Sequence, residues 1–285
     1  MILYIQQILF PAVALGGIGA IAAALLCIVV RRFAVKEDER VEQVEALLPG
    51  ANCGACGFLG CHDFALQCVR LGGPEGISCP GAGPDGMAAI AALFGMTGGT
   101  ASKNVAVLRC NGTCASRHPL SIYSGPQGCN MESMIVSGPL TCAFGCIQCG
   151  DCVKACPFEA MKMDPVTNLP EIDENKCTGC GICAGTCPRN LLTIQPAGPK
   201  GRRVWVACSN RHRGAIARKE CDSACIGCGK CERVCPFGAV SITDNVATID
   251  PALCRLCRKC VAVCPTGAIH TSNFPSAQTI KPEAS

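Results

Sequence analysis

The sequence predicts an α+β protein in three parts: a single N-terminal transmembrane helix, a small glycine-rich cysteine module, and two tandem units of short helices and strands. Three observations predict this. Residues 8–30 carry no charge, one four-cysteine string occurs four times, and a differently spaced cysteine set stands between them. The expected segments are an anchor (1–30), a stalk helix (31–48), the single module (49–100), a cysteine-containing linker (101–143), a first repeated unit (144–196), a basic linker (197–222), a second repeated unit (223–272) and a tail (273–285).

The 285 residues include 28 Cys and 32 Gly, but only 4% aromatics. Small modules with so few large apolar side chains cannot build deep cores, so something else must stabilise them. Cysteines are the obvious source. Disulfides would require an oxidising compartment, and the spacings below argue for metal.

The anchor, Ile8 to Val30, reads ILFPAVALGGIGAIAAALLCIVV. At helical rise it is about 34 Å long, enough to cross a bilayer core. Gly16, Gly17, Gly19, Ala20, Ala22, Ala23 and Ala24 suit close packing against another membrane helix, or a simple anchor. No basic residue precedes the run, and Arg31 and Arg32 follow it. That order fits an anchor with its C-terminal side in the cytoplasm and disfavours a cleaved signal peptide. Cys27 reads as a buried thiol. In the stalk, Val41, Val44, Leu47 and Leu48 recur at helical spacing, compatible with an amphipathic helix or a solvated charged stalk.

The repeated string is C-x2-C-x2-C-x3-C-P. It occurs at Cys146/149/152/156, Cys177/180/183/187, Cys225/228/231/235 and Cys254/257/260/264, closed by Pro157, Pro188, Pro236 and Pro265. Three cysteines on one tight loop can bind three corners of an Fe4S4 cube, while the fourth reaches the other cluster of a pair. The proline fixes φ and turns the chain away. After each proline comes a turn and a short apolar strand (FEAMKM, RNLLTI, FGAVSI, TGAIHT). Before the second and fourth copies stand EIDENKC and ATIDPALC, another strand and turn. The copies start 31 residues apart in the first pair and 29 in the second, with the pairs offset by 79: an internal duplication.

Both units resemble bacterial two-cluster ferredoxins, a small α+β fold with pseudo-twofold symmetry. The resemblance covers residues 144–196 and 223–272. It implies crossed ligation in four [4Fe–4S] sites: Cys146, Cys149, Cys152 with Cys187; Cys177, Cys180, Cys183 with Cys156; Cys225, Cys228, Cys231 with Cys264; and Cys254, Cys257, Cys260 with Cys235. Structural zinc would use only four of these sulfurs in a tetrahedron and give the prolines no role. The C-x3-C-x2-C spacing of radical S-adenosylmethionine enzymes also occurs, at Cys142/146/149 and Cys221/225/228. Its last two cysteines are already used, and the chain lacks the strand–helix run of a barrel.

In the glycine-rich module, CGACGFLGC gives Cys53, Cys56 and Cys61, and SCPGAGP gives Cys79. That spacing suits one further cube, with glycines turning backbone N–H groups toward sulfur. Cys68 lies on an intervening helical stretch and reads as core; His62 reads as a loop polar group. The remaining consecutive cysteines, Cys110, Cys114, Cys129 and Cys142, are expected to form a sixth cluster, with spare thiols lining a linker as the alternative. Cys208 and Cys221 read as a decayed version of the same element and are given no metal.

The order of membrane helix, stalk, CGACGFLGCHDFA…CPGAGPDG module and ferredoxin units resembles the B-subunit family of Rnf ion-translocating ferredoxin:NAD oxidoreductases. The resemblance implies an electron-transfer subunit of a membrane complex that couples electron flow between ferredoxin and NAD to Na⁺ or H⁺ movement. It also implies soluble ferredoxin, lipid and other subunits as partners, with the bulk of the chain on the cytoplasmic side of the cell membrane. The competing class is a membrane-tethered polyferredoxin serving a hydrogenase or dehydrogenase. No nucleotide-binding G-x-G-x-x-G junction and no catalytic triad are visible, so no catalytic residue is assigned. The formal charge of +4 omits the cofactors: with thiolates counted, six oxidised clusters would move it by roughly −12, to about −8. Residues 200–219 carry seven basic residues and no acid, which would either steer an acidic ferredoxin or compensate cluster charge.

Overall fold

The computed structural model describes residues 16–29, 32, 38–96, 103–118, 120–121, 123–134 and 140–275. It divides into two compact units, Met1–Val41 and Glu42–Ser285. In the first, residues 16–29 form α1, with Ile18, Ile21, Leu25, Leu26, Ile28 and Val29 exposed along it. Cys27 is exposed on it too. Residues 8–15 and 30 of the expected span lie outside the described residues. Among the described residues no helix is long and apolar enough to cross a membrane. Asp38 caps the next helix, α2 (Glu39–Ala46), accepting the Arg40 N–H at 3.0 Å.

In the second compact unit, Val44 and Leu48 are buried while Leu47 is exposed. The glycine-rich module follows as α3 (Cys61–Leu71) and α4 (Gly83–Leu93), with a single 3-10 turn, Pro80–Ala82, between them. Phe64, Ala65 and Cys68 form the buried face of α3. The helix stops at Gly72, whose φ of 73° makes a left-handed C-cap.

The rest of the chain is two repeats of one plan. The first contains, in order, β1 (Asn104–Leu108), α5 (Cys129–Ser133), α6 (Asp151–Lys154), β2 (Met161–Met163), β3 (Pro170–Ile172), α7 (Ile182–Thr186) and β4 (Leu192–Pro196). The second contains β5 (Arg203–Val206), α8 (Gly214–Glu220), α9 (Lys230–Val234), β6 (Val240–Thr243), β7 (Val246–Ile249), α10 (Lys259–Ala262) and β8 (Ile269–Ser272). Each repeat makes two antiparallel pairs: β1 with β4 and β2 with β3, then β5 with β8 and β6 with β7. The β6–β7 turn is two residues, Asp244 and Asn245, both at positive φ, the combination that matches strand twist in a tight hairpin.

The strands expected after the four prolines are β2, β4, β6 and β8, and those expected before the second and fourth motifs are β3 and β7. The outer partners are the new finding. β1 and β5 lie in stretches read as linkers, yet they close their repeats, with Asn104 opposite Pro196 and Arg203 opposite Ser272. Both are short and valine-rich, NVAVL and RVWV, a composition that suits a half-buried strand. Each is parted from its repeat by a cysteine-bearing insertion.

The cores are small-residue cores threaded with sulfur. In the second repeat, Val204, Val206, Val240, Val246, Ala217 and Ala268 pack with Cys225, Cys231 and Cys260. In the first, Val105, Ala106, Met161 and Leu192 pack with Cys177 and Cys183. The cysteines are therefore held by the same contacts that hold the fold.

Candidate metal centres

All four motifs are laid on one backbone shape. The residues just before and just after the second cysteine are left-handed in every copy: Gln148 and Gly150, Gly179 and Gly181, Gly227 and Gly229, Leu256 and Arg258. The third cysteine then lies in a short helix: Cys152 in α6, Cys183 in α7, Cys231 in α9 and Cys260 in α10. Alternation of left- and right-handed residues turns successive N–H groups into a concavity that favours anions. Gln148, Leu256 and Arg258 adopt it without glycine's freedom, at about 1–2 kcal/mol each. What repeats is the cradle, and an anionic iron–sulfur core with thiolate ligands fits it.

The helices α6 and α7 pack together, as do α9 and α10, so the two motifs of each repeat face each other. The Cys183 thiol is pushed up to about 12 by burial, then by Cys180, Cys177, Cys152 and Cys156. Cys156, the last cysteine of the first motif, thus stands among the thiols of the second. Conversely, Cys187 lines one cavity with Cys146 and Cys152. In the second repeat burial raises Cys231, with Cys225 and Cys228 adjacent. Burial pushes Cys260 up to about 11, with Cys254 and Cys257 adjacent. Backbone N–H groups point at sulfur: Ala106 N to Cys177 Sγ, Leu191 N to Cys187 Sγ and Ala247 N to Cys225 Sγ, each at 3.5 Å. Among the described residues no three His, Cys, Asp or Glu side chains close to the spacing of a single bound ion.

In the glycine-rich module the Asn52 carboxamide accepts the Cys61 N–H at 2.8 Å and so fixes the start of α3. Gly60 leaves room for this contact, since a Cβ there would stand 2.7 Å from Asn52 Oδ1. Burial raises the Cys79 thiol, the N–H groups of Ala82 and Gly81 oppose the rise, and Cys56 and Cys61 are its sulfur neighbours. Cys79 and Cys177 line a common pocket, and Cys53 is a neighbour of Cys180. The module therefore abuts the second motif of the first repeat. His62 Nδ1 lies 2.9 Å from Glu45 Oε2 on the surface.

Cys68 is fully buried on α3, and burial, then Cys79, pushes its thiol up to about 11. It packs as a small apolar side chain. Cys68→Ala is expected to keep the full iron content and to destabilise the module by about 1 kcal/mol. Iron analysis of the anaerobic protein checks the first, and the onset of thermal bleaching the second.

The structure does not assemble Cys110, Cys114, Cys129 and Cys142 around one cavity. Cys110 and Cys142 do line one, but the other two cysteines there are Cys208 and Cys221. Cys114 is exposed, with its Sγ 3.8 Å from the Thr167 carbonyl. Cys129 begins α5, donates its N–H to Asp151 Oδ2 at 2.8 Å and lines the cavity of Cys146, Cys152 and Cys187. Burial raises the adjacent Cys149 thiol, which also donates to Glu132 Oε1 at 3.1 Å. Sequence order groups these cysteines by elimination. The available signal is positional: Cys142 and Cys221 each precede a motif by four residues.

The basic stretch also divides. Arg203 is 4% exposed and ion-paired with Glu174, so it is a structural cation, not a docking one. Arg202 stacks 5.7 Å from the Phe274 ring centre. Arg211, Arg213, Arg218 and Lys219 are exposed.

A family model described as a 4Fe-4S dicluster domain matches residues 145–191 and 224–268. A second dicluster model matches residues 176–239, and one for a putative Fe-S cluster matches residues 48–74. Among curated proteins, the chain is 41% identical over 253 residues to the B subunit of the Na(+)-translocating ferredoxin:NAD(+) oxidoreductase complex of Acetobacterium woodii, covering 88% of this chain and 74% of that one. It is 39% identical to the B subunit of the proton-translocating ferredoxin:NAD(+) oxidoreductase complex of Clostridium ljungdahlii, with 83% and 82% covered. It is 35% identical to the B subunit of the ion-translocating oxidoreductase complex of Methanosarcina acetivorans, with 84% and 89% covered.

Proposed function

Because the chain belongs to the B-subunit family of ion-translocating ferredoxin:NAD oxidoreductase complexes, we propose that it is the component that carries electrons between soluble ferredoxin and the membrane subunits of such a complex. Twenty cysteines would hold five [4Fe–4S] clusters: Cys53, Cys56, Cys61 and Cys79 in the module, and the four crossed sets of the repeats. Bound there, the clusters supply one-electron sites.

What the residues do is position and insulate. The N–H groups of Ala106, Leu191 and Ala247 aimed at sulfur favour the anionic thiolate state and tune its potential. The cores of valine, alanine and leucine bury Cys177, Cys183, Cys225, Cys231 and Cys260. The observation that carries the reading is adjacency: module next to second motif through Cys53 and Cys180, and second motif next to first through Cys156 and Cys183.

Exposure supports an entry point at the second repeat. Cys228 and Cys257 are exposed, whereas their counterparts Cys149 and Cys180 are half-buried. Lys230, Arg255 and Lys259 are exposed beside them, a basic rim suited to an acidic protein donor. Replacing these three by Glu is expected to slow reduction by ferredoxin about 10- to 100-fold at low ionic strength and to flatten its salt dependence. Stopped-flow mixing of reduced ferredoxin with the anaerobic protein measures both; an unchanged rate would remove the docking site from this face.

The apolar segment 8–30 is assigned as a single-pass anchor, supported by its length, by the arginines at its end and by the exposed apolar side chains of α1. The body of the chain then stands on the cytoplasmic side, where reduced thiols persist.

A further inference from the structure

We propose that Cys110, Cys142, Cys208 and Cys221 hold a sixth [4Fe–4S] cluster at the seam between the two repeats; as an electron-carrying site it rests on the function proposed above, but as a metal site it does not. Four separate segments converge on this one cavity, which Arg117, Gly145 and Asn210 also line. Cys142, Cys208 and Cys221 are buried.

Each sulfur receives hydrogen-bond donors. Cys110 Sγ accepts the N–H groups of Gly112 and Cys146, both at 3.4 Å. Cys208 Sγ accepts the Cys225 N–H at 3.2 Å. Cys142 Sγ accepts Asn210 Nδ2 at 3.5 Å, and the Ser223 N–H bonds to Cys221. Asn210 is 1% exposed and is held by Glu220 Oε2 at 2.7 Å and the His212 N–H at 2.9 Å. Such donors favour thiolates and orient them, as in the motif sites.

Two cations answer the charge. Arg117 is buried and donates to the Cys146 carbonyl at 2.8 Å. Arg189 donates to the carbonyls of Cys142 and Gly145 at 3.3 and 2.5 Å. A cube with four thiolates carries about −2, which two guanidiniums offset.

The site is also pseudo-symmetric. Cys110 lies two residues beyond β1 and Cys208 two beyond β5, and those strands close their repeats in the same way. Cys142 and Cys221 each stand four residues before a repeat's first motif. Each repeat thus gives two ligands, one after its outer strand and one before its first motif. The thiols of Cys110 and Cys208 accept N–H groups from Cys146 and Cys225, the first motif cysteines of the two repeats. The site therefore touches both cluster-binding loops that face the seam. A lone zinc would need its sulfurs in one tight tetrahedron, and no such group is found among the described residues.

The test is native mass spectrometry with iron and acid-labile sulfide analysis of the anaerobically purified full chain. The unaltered protein is expected to carry six cubes, about 24 iron atoms. Cys208→Ala and Cys221→Ala should each lose one cube and keep five, whereas Cys114→Ala should lose none. Five cubes in the unaltered chain, alone or with one zinc, would overturn the proposal. So would a full complement in Cys208→Ala, or loss of the sixth cube from Cys129→Ala but not from Cys208→Ala. If a variant loses all iron through misfolding, the mass of the unaltered protein decides. Six cubes that reduced ferredoxin fails to reduce would sink the electron-transfer reading and leave this site standing; five cubes reduced rapidly would do the reverse.

Discussion

Gly179→Ala is expected to cost the chain the cluster of Cys177, Cys180, Cys183 and Cys156, about four iron atoms per molecule, and Gly227→Ala the cluster of Cys225, Cys228, Cys231 and Cys264. A left-handed φ alone would not do this, because Gln148, Leu256 and Arg258 occupy equivalent positions at positive φ with full side chains. Space decides. A Cβ on Gly179 would stand 2.6 Å from the Asn104 carbonyl oxygen, and one on Gly227 2.6 Å from that of Asn245. Both obstacles are backbone, so the ligand loop itself must move. Gly150 is the control. Its Cβ would meet only the flexible Met163 side chain at 3.4 Å, so Gly150→Ala should keep its cluster and lose about 1–2 kcal/mol. Iron and sulfide counts on the three variants separate the cases; full iron in Gly179→Ala would show that strand and loop separate easily.

Glu174→Ala is expected to destabilise the joined repeats by about 2–4 kcal/mol, at the lower side of the range for breaking a buried ion pair because Glu174 keeps some solvent. Glu174 belongs to the first repeat. It pairs with Arg203 and accepts Ser272 Oγ and, at 2.6 Å, Asn273 Nδ2, all from the second. Arg203 is nearly fully buried and would be left without its carboxylate. Two of its nitrogens, Nε and Nη1, already lack partners, so the loss falls on a poorly solvated cation. The onset of cluster bleaching on heating should fall by roughly 5–15 °C. Glu174→Met with Arg203→Met should recover part of the loss, because an apolar pair leaves no buried charge. A single variant as stable as the unaltered protein would assign the seam to other contacts, such as Trp205 Nε1 donating to the Leu108 carbonyl at 3.1 Å.

Much of this is legible in the residues. The C-x2-C-x2-C-x3-C-P strings locate the ligand loops, and the turn-and-strand tails locate β2, β4, β6 and β8, because tight loops and prolines act locally. β1 and β5 are hidden because their partners are far along the chain, and a valine-rich run of four or five residues does not name its partner. The role of Cys110 with Cys208 is hidden for the same reason. Ligands at a seam are brought together by tertiary pairing, and sequence order favours Cys114 and Cys129, which lie nearer in the chain. Arg203 is a different case: the basic run reads as a docking surface or as compensation for cluster charge, and burial against Glu174 makes this residue structural.

The pairing of β1 with β4 also governs how the protein is made. A nascent chain leaves the ribosome N-terminus first, and the hydrogen bonds of Asn104 opposite Pro196 do not exist until the later strand has emerged. Until then Cys156 has no second loop to serve, and Cys110 has no counterpart from the following repeat. The four cysteines of the glycine-rich module all emerge before residue 80, so maturation can begin there, but the paired sites of the repeats can be filled only late, once both loops of a pair are out.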